Sequence, residues 1–301
     1  MSSYYLVKRE ELNAVRMEVD TFNLAHTVES AQPLTFIGDY TNDTVRYPAG
    51  MDYIKVRHTG TVEHGELSAS CFDRDLAKRE LRRRFRLDDN MQYIYKKINT
   101  DRHLDASIKR YMGMRLTLNE PWETTVCFII SQFNNVKRIR SIVKNLMNGY
   151  GSDIVDENGN TVGKSFPKST DLIGATKKEL MGCGTGFRAK YIMHAADYCT
   201  NNISLDKLNP HDYYGLKETL MEIDGVGEKV ADCIILMGYG NLNAFPIDVH
   251  IKRAMEKLYF EGKKKRLKDI NEIADRMWGA YKGYAQQYLF HNSRAGDLND
   301  A

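Results

Sequence analysis

Residues 220–250 constrain this chain more than any other stretch, because two helical patterns there flank a tight glycine turn. Leu216, Leu220 and Ile223 recur at helical spacing across 212–223. Asp224-Gly225-Val226-Gly227 then breaks the pattern, and glycine enters such turns at no steric penalty. A second, mostly apolar pattern across 229–239 sets Lys229, Cys233 and Met237 on one helix face. N–H groups at a glycine turn and at a helix start together form a cradle for phosphate. Asn243-Ala244-Phe245-Pro246 ends this helix, and Ile247-Asp248-Val249-His250 leads into a third pattern across 251–259.

Lys229 stands in the first turn of its helix, where the macrodipole opposes a positive charge. A lysine encouraged to lose its proton, followed by an aspartate, supplies the parts of an amine-based covalent mechanism. Each residue alone has a plainer reading: Cys233 and Met237 as core, Asp248 as the N-cap of the next helix, Lys229 as a solvated lysine. A lone Gly-x-Gly turn is a weak sign of phosphate binding. The specific feature is the whole run in one order.

The rest of the chain divides into a strand-rich first part and a helical remainder. Residues 4–9, 15–19, 34–38, 44–48 and 53–58 are short and rich in β-branched and aromatic types, with 53–57 alternating as a half-buried strand does. They predict an antiparallel sheet over roughly 1–70. Helical patterns follow at 73–87, 91–98, 103–110 and 122–131, the last led by Pro121. Arg82-Arg83-Arg84 reads as a solvated basic face. Residues 151–168 read as a polar loop with a small hairpin at 157–160. A second glycine-rich turn at Cys183-Gly184-Thr185-Gly186 opens a further helix, and 283–290 form another. The fold class expected is α+β: an N-terminal antiparallel β-sheet domain with following helices over 1–108, then an all-α domain over 109–301.

Composition excludes several classes. With 42% apolar and 28% charged residues, the 301-residue chain suits a globular protein with a sizeable core. A net charge of +3 permits a nucleic-acid partner without demanding one. The five cysteines are odd in number and include no C-x-x-C pair, which predicts a reducing compartment and no zinc site. No signal peptide and no apolar run of ~18 residues is evident, so a soluble intracellular protein is expected.

Gly225-Val226-Gly227-Glu228-Lys229-Val230-Ala231-Asp232-Cys233 followed by Pro246-Ile247-Asp248-Val249-His250 resembles the helix-hairpin-helix DNA glycosylases. Within them it is most similar to the 8-oxoguanine DNA glycosylase/AP lyase branch. The resemblance implies a TATA-binding-protein-like N-terminal sheet and a helix-hairpin-helix core. It implies Lys229 as nucleophile and Asp248 as catalytic carboxylate. A lysine after the hairpin distinguishes the bifunctional members of the superfamily. The closely spaced four-cysteine iron–sulfur signature of some relatives is absent.

Further roles follow from the same likeness. Gln286 meets the Watson–Crick edge of the flipped base, which stacks between Phe290 and Cys233, with Met237 on the same pocket face. Ala31 stands where the family has a glycine whose carbonyl reads the oxidised base. Asn134, Asn135, Arg138 and Arg188 meet the cytosine left unpaired, and Phe187 wedges into the duplex. Phe133 departs from the family, which has asparagine there. Gly225, Gly227, Val230 and His250 lie along the DNA backbone. Double-stranded DNA containing 8-oxoguanine is the expected partner of a monomeric enzyme that needs no cofactor or metal. It is expected in the cytoplasm, nucleoid-associated, in a prokaryote, or in the nucleus of a eukaryote. A glycosylase for another damaged base shares Asp248 and the hairpin. A non-catalytic DNA-binding module needs neither Lys229 nor Asp248, and a structural or protein-interaction domain needs no DNA at all.

Overall fold

The computed structural model describes residues 14–32, 35, 44–156 and 158–294. Four strands form one antiparallel sheet: β1 (Ala14–Val19), β2 (Thr44–Ala49), β3 (Asp52–Gly60) and β4 (Gly65–Ser70), in the order β1-β4-β3-β2. Ile54 and Val56 alternate inward along β3, as the period-two pattern requires. The expected strands at 4–9 and 34–38 fall wholly or largely outside the described residues. Strand β4 was not expected from its sequence, since only Leu67 and Ala69 in it are apolar. It forms because β1 and β3 pair with it on both sides. A short helix, α1 (Leu24–Glu29), also interrupts the strand-rich part, started by Asn23 accepting from the His26 N–H at 2.9 Å.

Helices α2 (Arg74–Arg84), α3 (Met91–Ile98), α4 (Arg102–Arg110), α5 (Pro121–Ser131) and α6 (Val136–Tyr150) follow. The polar loop carries the expected hairpin, β5 (Asp153–Val155) with β6 (Thr161–Lys164). Beyond it run α7 (Ala189–Asn201), α8 (Tyr213–Met221), α9 (Glu228–Gly238), α10 (Val249–Tyr259), α11 (Leu267–Trp278) and α12 (Lys282–Arg294). Asp73, Asn90, Asp101, Asn135, Asp212 and Asp248 each cap a helix by accepting a backbone N–H of its first turn.

Helix α9 is buried from Val230 through Gly238, the mark of a central helix. Two glycines let its neighbours close on it. A Cβ on Gly238 would stand 3.3 Å from Pro121 Cα of α5, and one on Gly283 of α12 would stand 2.5 Å from Leu236 Cδ1. The helix that carries Lys229 is thereby held between the helix that carries Phe128 and the helix that carries Gln286.

Apolar residues gather in two cores. One runs from Val15 to Phe85 under the sheet, and the other begins at Met91 and continues to Leu289. The cores therefore divide ahead of the expected boundary at 108, because α3 and α4 pack into the helical core. Buried arginines join the two halves. Arg115 donates to the carbonyls of Asp20, Thr21, Arg86 and Asp89. Arg84 is 1% exposed, so the basic triplet is not wholly solvated. Its guanidinium lies 3.1 Å from Asn119 Oδ1, 3.4 Å from Glu123 Oε1 and 4.7 Å from the Tyr47 ring centroid. Arg83 instead pairs with Glu80 and Glu120, and Arg82 with Asp88.

Removing one member of a buried ion pair leaves its partner's charge uncompensated. Arg84→Met should lower stability to urea unfolding by roughly 3 kcal/mol. The double variant with Glu123→Gln should recover part of that loss. An additive loss in the double variant would mean that the pair is not coupled.

Candidate active site

One narrow pocket of about 60 Å³ collects residues from distant parts of the chain. It is lined by Ala31 after α1, by Lys229, Cys233 and Met237 of α9, by Asp248 before α10, and by Gln286 and Phe290 of α12. All seven residues read as catalytic or base-binding thus meet at one place. Ser30, Phe128, Pro246 and Gln287 complete the wall and were not assigned to it from sequence. The adjacent glutamines in the mostly apolar run 283–290 were the available signal for Gln287.

Lys229 is half-buried in the first turn of α9, with Nζ 5.4 Å from the Phe128 ring centroid. Asp248 is half-buried and caps α10, its Oδ1 accepting from Ile251 N at 2.8 Å. The cap holds the carboxylate at the pocket, so capping the helix and facing the pocket are one arrangement. Burial pushes the Cys233 thiol up to about 11 against the opposing influence of Lys229, which leaves it protonated at neutral pH. Gln286 donates through Nε2 to the Pro246 carbonyl at 3.1 Å and so ties α12 to the segment leading to Asp248.

Ala31 has φ of +67°, in the left-handed region that alanine rarely adopts. The conformation suited to glycine is therefore kept with alanine in place, at a cost of roughly 1–2 kcal/mol. The turn is fastened on both sides. Gln287 Nε2 donates to Ser30 O at 2.9 Å, and Gln32 Nε2 donates to Ser30 Oγ at 2.7 Å and to Arg115 O at 2.9 Å.

Beside the pocket lies a face made of three loops. Asn135 caps α6 by accepting from Arg138 N at 3.0 Å, and Asn134 Nδ2 donates to Ile130 O at 3.1 Å. Arg138 is exposed. Arg188 is 4% exposed and donates to the carbonyls of Gln132, Phe133 and Thr185. It clamps the Phe133 turn here, and contact with an unpaired base requires giving up some of those bonds. Gln132 Nε2 in turn donates to Gly225 O at 2.9 Å, joining this turn to the glycine hairpin.

Phe133 is 94% exposed at φ of +49°, and Phe187 is 47% exposed with its ring centroid 6.4 Å away. Two exposed aromatic rings side by side fit a surface that meets a stacking ligand. Gly225 has φ of +84°, and a Cβ there would stand 2.6 Å from the Tyr191 ring. Gly227 is different: it is extended, it caps α9 without a side chain, and a Cβ would meet open space. The Val230 side chain is buried, which leaves only its backbone to face an anion, and His250 is exposed edge-on to Phe290.

A family model described as HhH-GPD superfamily base excision DNA repair protein matches residues 126–280. A second, described as the N-terminal domain of 8-oxoguanine DNA glycosylase, matches residues 14–125. The chain is 32% identical over 260 residues to the N-glycosylase/DNA lyase of Saccharomyces cerevisiae, covering 75% of this chain and 69% of that one. It is 30% identical over 220 residues to a probable N-glycosylase/DNA lyase of Methanothermobacter thermautotrophicus, covering 66% of this chain and 70% of the relative. The fold superposes with a TM-score of 0.84 on the Clostridium acetobutylicum 8-oxoguanine glycosylase/lyase bound to double-stranded DNA with cytosine opposite 8-oxoguanine. That match has 26% identity and covers 94% of this chain and 99% of the other.

The two hairpin glycines should respond differently to alanine. Gly225→Ala forces a left-handed alanine against Tyr191 and should lower stability by at least ~1–2 kcal/mol. Gly227→Ala should stay within ~1 kcal/mol of wild type. It should nevertheless weaken binding to lesion and undamaged duplexes alike, by roughly fivefold. Thermal melts with duplex titrations check both, and a loss confined to lesion DNA would move Gly227 to the base pocket.

Proposed function

The chain belongs to the HhH-GPD superfamily of base excision DNA repair proteins and is a bifunctional 8-oxoguanine DNA glycosylase/AP lyase, for which we propose Lys229 as nucleophile and Asp248 as catalytic carboxylate. The observation that carries the assignment is the convergence of Lys229 and Asp248 with Ala31, Cys233, Gln286 and Phe290 on one pocket.

8-Oxoguanine differs from guanine by a carbonyl at C8 and an N–H at N7, which are best tested with the base outside the stack. The flipped base lies between Phe290 and Cys233, and Gln286 meets its Watson–Crick edge. The neutral amine of Lys229 attacks C1′ of the sugar as the glycosidic bond breaks. The electron pair of that bond leaves with the base, which takes up a proton. Asp248 stabilises the positive charge that develops on the sugar. Loss of the amine proton and opening of the sugar ring give a Schiff base at Lys229. β-Elimination then expels the 3′ phosphate and nicks the strand. The pocket is far smaller than the ~300 Å³ lower end of small-molecule sites, so a lining side chain moves when the base enters.

The exposed face beside the pocket supports a monomer engaging one lesion duplex. Gly225, Gly227, Val230 and His250 follow the backbone, Phe187 enters the stack, and Arg138 meets the base opposite. The chain acts wherever chromosomal DNA lies, in the cytoplasm of a prokaryote or the nucleus of a eukaryote. No helix among the described residues is long and apolar enough to cross a membrane.

Borohydride should cross-link the wild type to 8-oxoguanine DNA, and Lys229→Gln should lose the cross-link while still binding the lesion duplex. Trapping at another lysine would falsify the assignment. Asp248→Asn keeps a capping oxygen without the charge, so it should fold within ~1 kcal/mol of wild type and lose most excision. Excision near the wild-type rate would reduce Asp248 to a cap.

Phe133 generates a separate prediction about the opposite base. It stacks but makes no base-edge hydrogen bonds, and one such contact is worth ~1–3 kcal/mol of discrimination. Phe133→Asn should therefore sharpen the preference for cytosine in single-turnover excision opposite each of the four bases. Asparagine tolerates a positive φ better than phenylalanine, so the variant should be no less stable. An unchanged preference would remove Phe133 from the vacated base position.

A further inference from the structure

Helix α12 presents two glutamines in succession, and both line the pocket. Gln287 is 1% exposed, and its Nε2 donates to the Ser30 carbonyl at 2.9 Å. A carbonyl only accepts, so this bond settles which end of the amide is nitrogen. The other end, Oε1, is buried and receives no hydrogen bond among the described residues. Gln286 repeats the arrangement: Nε2 donates to Pro246 O at 3.1 Å, and Oε1 is buried without a donor among the described residues. Buried polar atoms are almost always paired. Two exceptions on consecutive residues of one pocket wall mark where the donors of a ligand belong.

We propose that Gln287 is a specificity residue whose Oε1 accepts a hydrogen bond from the flipped base, beside the one accepted by Gln286. Two acceptors on one pocket wall suit an edge with two adjacent donors. Guanine and 8-oxoguanine offer this at N1–H and the 2-amino group. Adenine has a lone pair at N1 and no 2-amino group. Cytosine sets its amine beside an acceptor, and thymine has one N–H between two carbonyls. The pair therefore selects a guanine-type base independently of any contact to the oxidised edge. This inference rests on the pocket being the base-recognition site.

Gln287 also holds Ser30, so reading must be separated from propping. Ser30 keeps two further fastenings, to Thr27 O at 2.6 Å and from Gln32 at 2.7 Å, so the turn does not depend on Gln287 alone. The test is single-turnover excision of 8-oxoguanine and of 8-oxoadenine, each opposite cytosine. 8-Oxoadenine keeps the carbonyl at C8 and the N–H at N7 but lacks both donors in question. The wild type should strongly favour 8-oxoguanine. Gln287→Met keeps the volume without the acceptor and should narrow the ratio of the two rates by roughly tenfold. Gln287→Ala should do the same and serves if the methionine variant fails to fold. Equal slowing on both bases with an unchanged ratio would make Gln287 a prop for Ser30 and overturn the proposal. So would a wild type that does not distinguish the two bases. A wild type inactive on 8-oxoguanine would instead refute the assigned activity, so the two failures are distinguishable.

Discussion

Gly283 of α12 lies so close to α9 that an added methyl group would stand 2.5 Å from Leu236 Cδ1. This approach and the matching one at Gly238 against α5 pack together the elements that carry the pocket residues. Lys229, Phe128 and Gln286 sit on three different helices. Gly238 lets α9 close on the α5 backbone at Pro121, and Gly283 lets α12 close on the Leu242 and Ala244 carbonyls of the segment after α9. Native cores have little room to absorb an extra methylene, so neither glycine is readily enlarged.

Strain is the second organising element. Ala31 is held at positive φ by hydrogen bonds on its neighbours: Gln287 donates to Ser30 O, Gln32 donates to Arg115 O, and Thr117 N donates to Gln32 Oε1. These bonds are buried, and breaking one leaves a polar group unpaired at ~1–3 kcal/mol, comparable to the strain they hold. A strained residue that the surroundings over-determine is a common companion of function. The network around Ala31, rather than the residue itself, thus sets the conformation.

The face outside the pocket shows why single residues were hard to assign. Asp248 and Asn135 are both N-caps, and the same side chains stand at the pocket and at the exposed loop. Capping and contact are not alternatives there, because the cap fixes where the side chain points. Arg188 is the opposite case. Its charge was legible, but the surrounding loop buries it against the carbonyls of Gln132 and Phe133, and the exposed groups on this face include Asn135, Arg138, Phe133 and Phe187.

The order of motifs in 220–250 determined the family, the helix-hairpin-helix core, and the expectation for Lys229 and Asp248. Several helix starts and stops were legible too, as at Pro121 and Gly225, because caps, glycines and apolar spacing act over a few residues, whereas α1 was not expected and α6 and α11 were not delimited. Strand β4 and the burial of Arg84 were not, since the first depends on pairing with β1 and β3 and the second on Glu123 and Tyr47 from elsewhere in the chain. From sequence, Gln287 is only a second glutamine in the mostly apolar run 283–290. Only the packed structure decides that its amide is held by Ser30 and that its oxygen meets no donor among the described residues, because hydrogen-bond satisfaction is a property of all the groups around an atom.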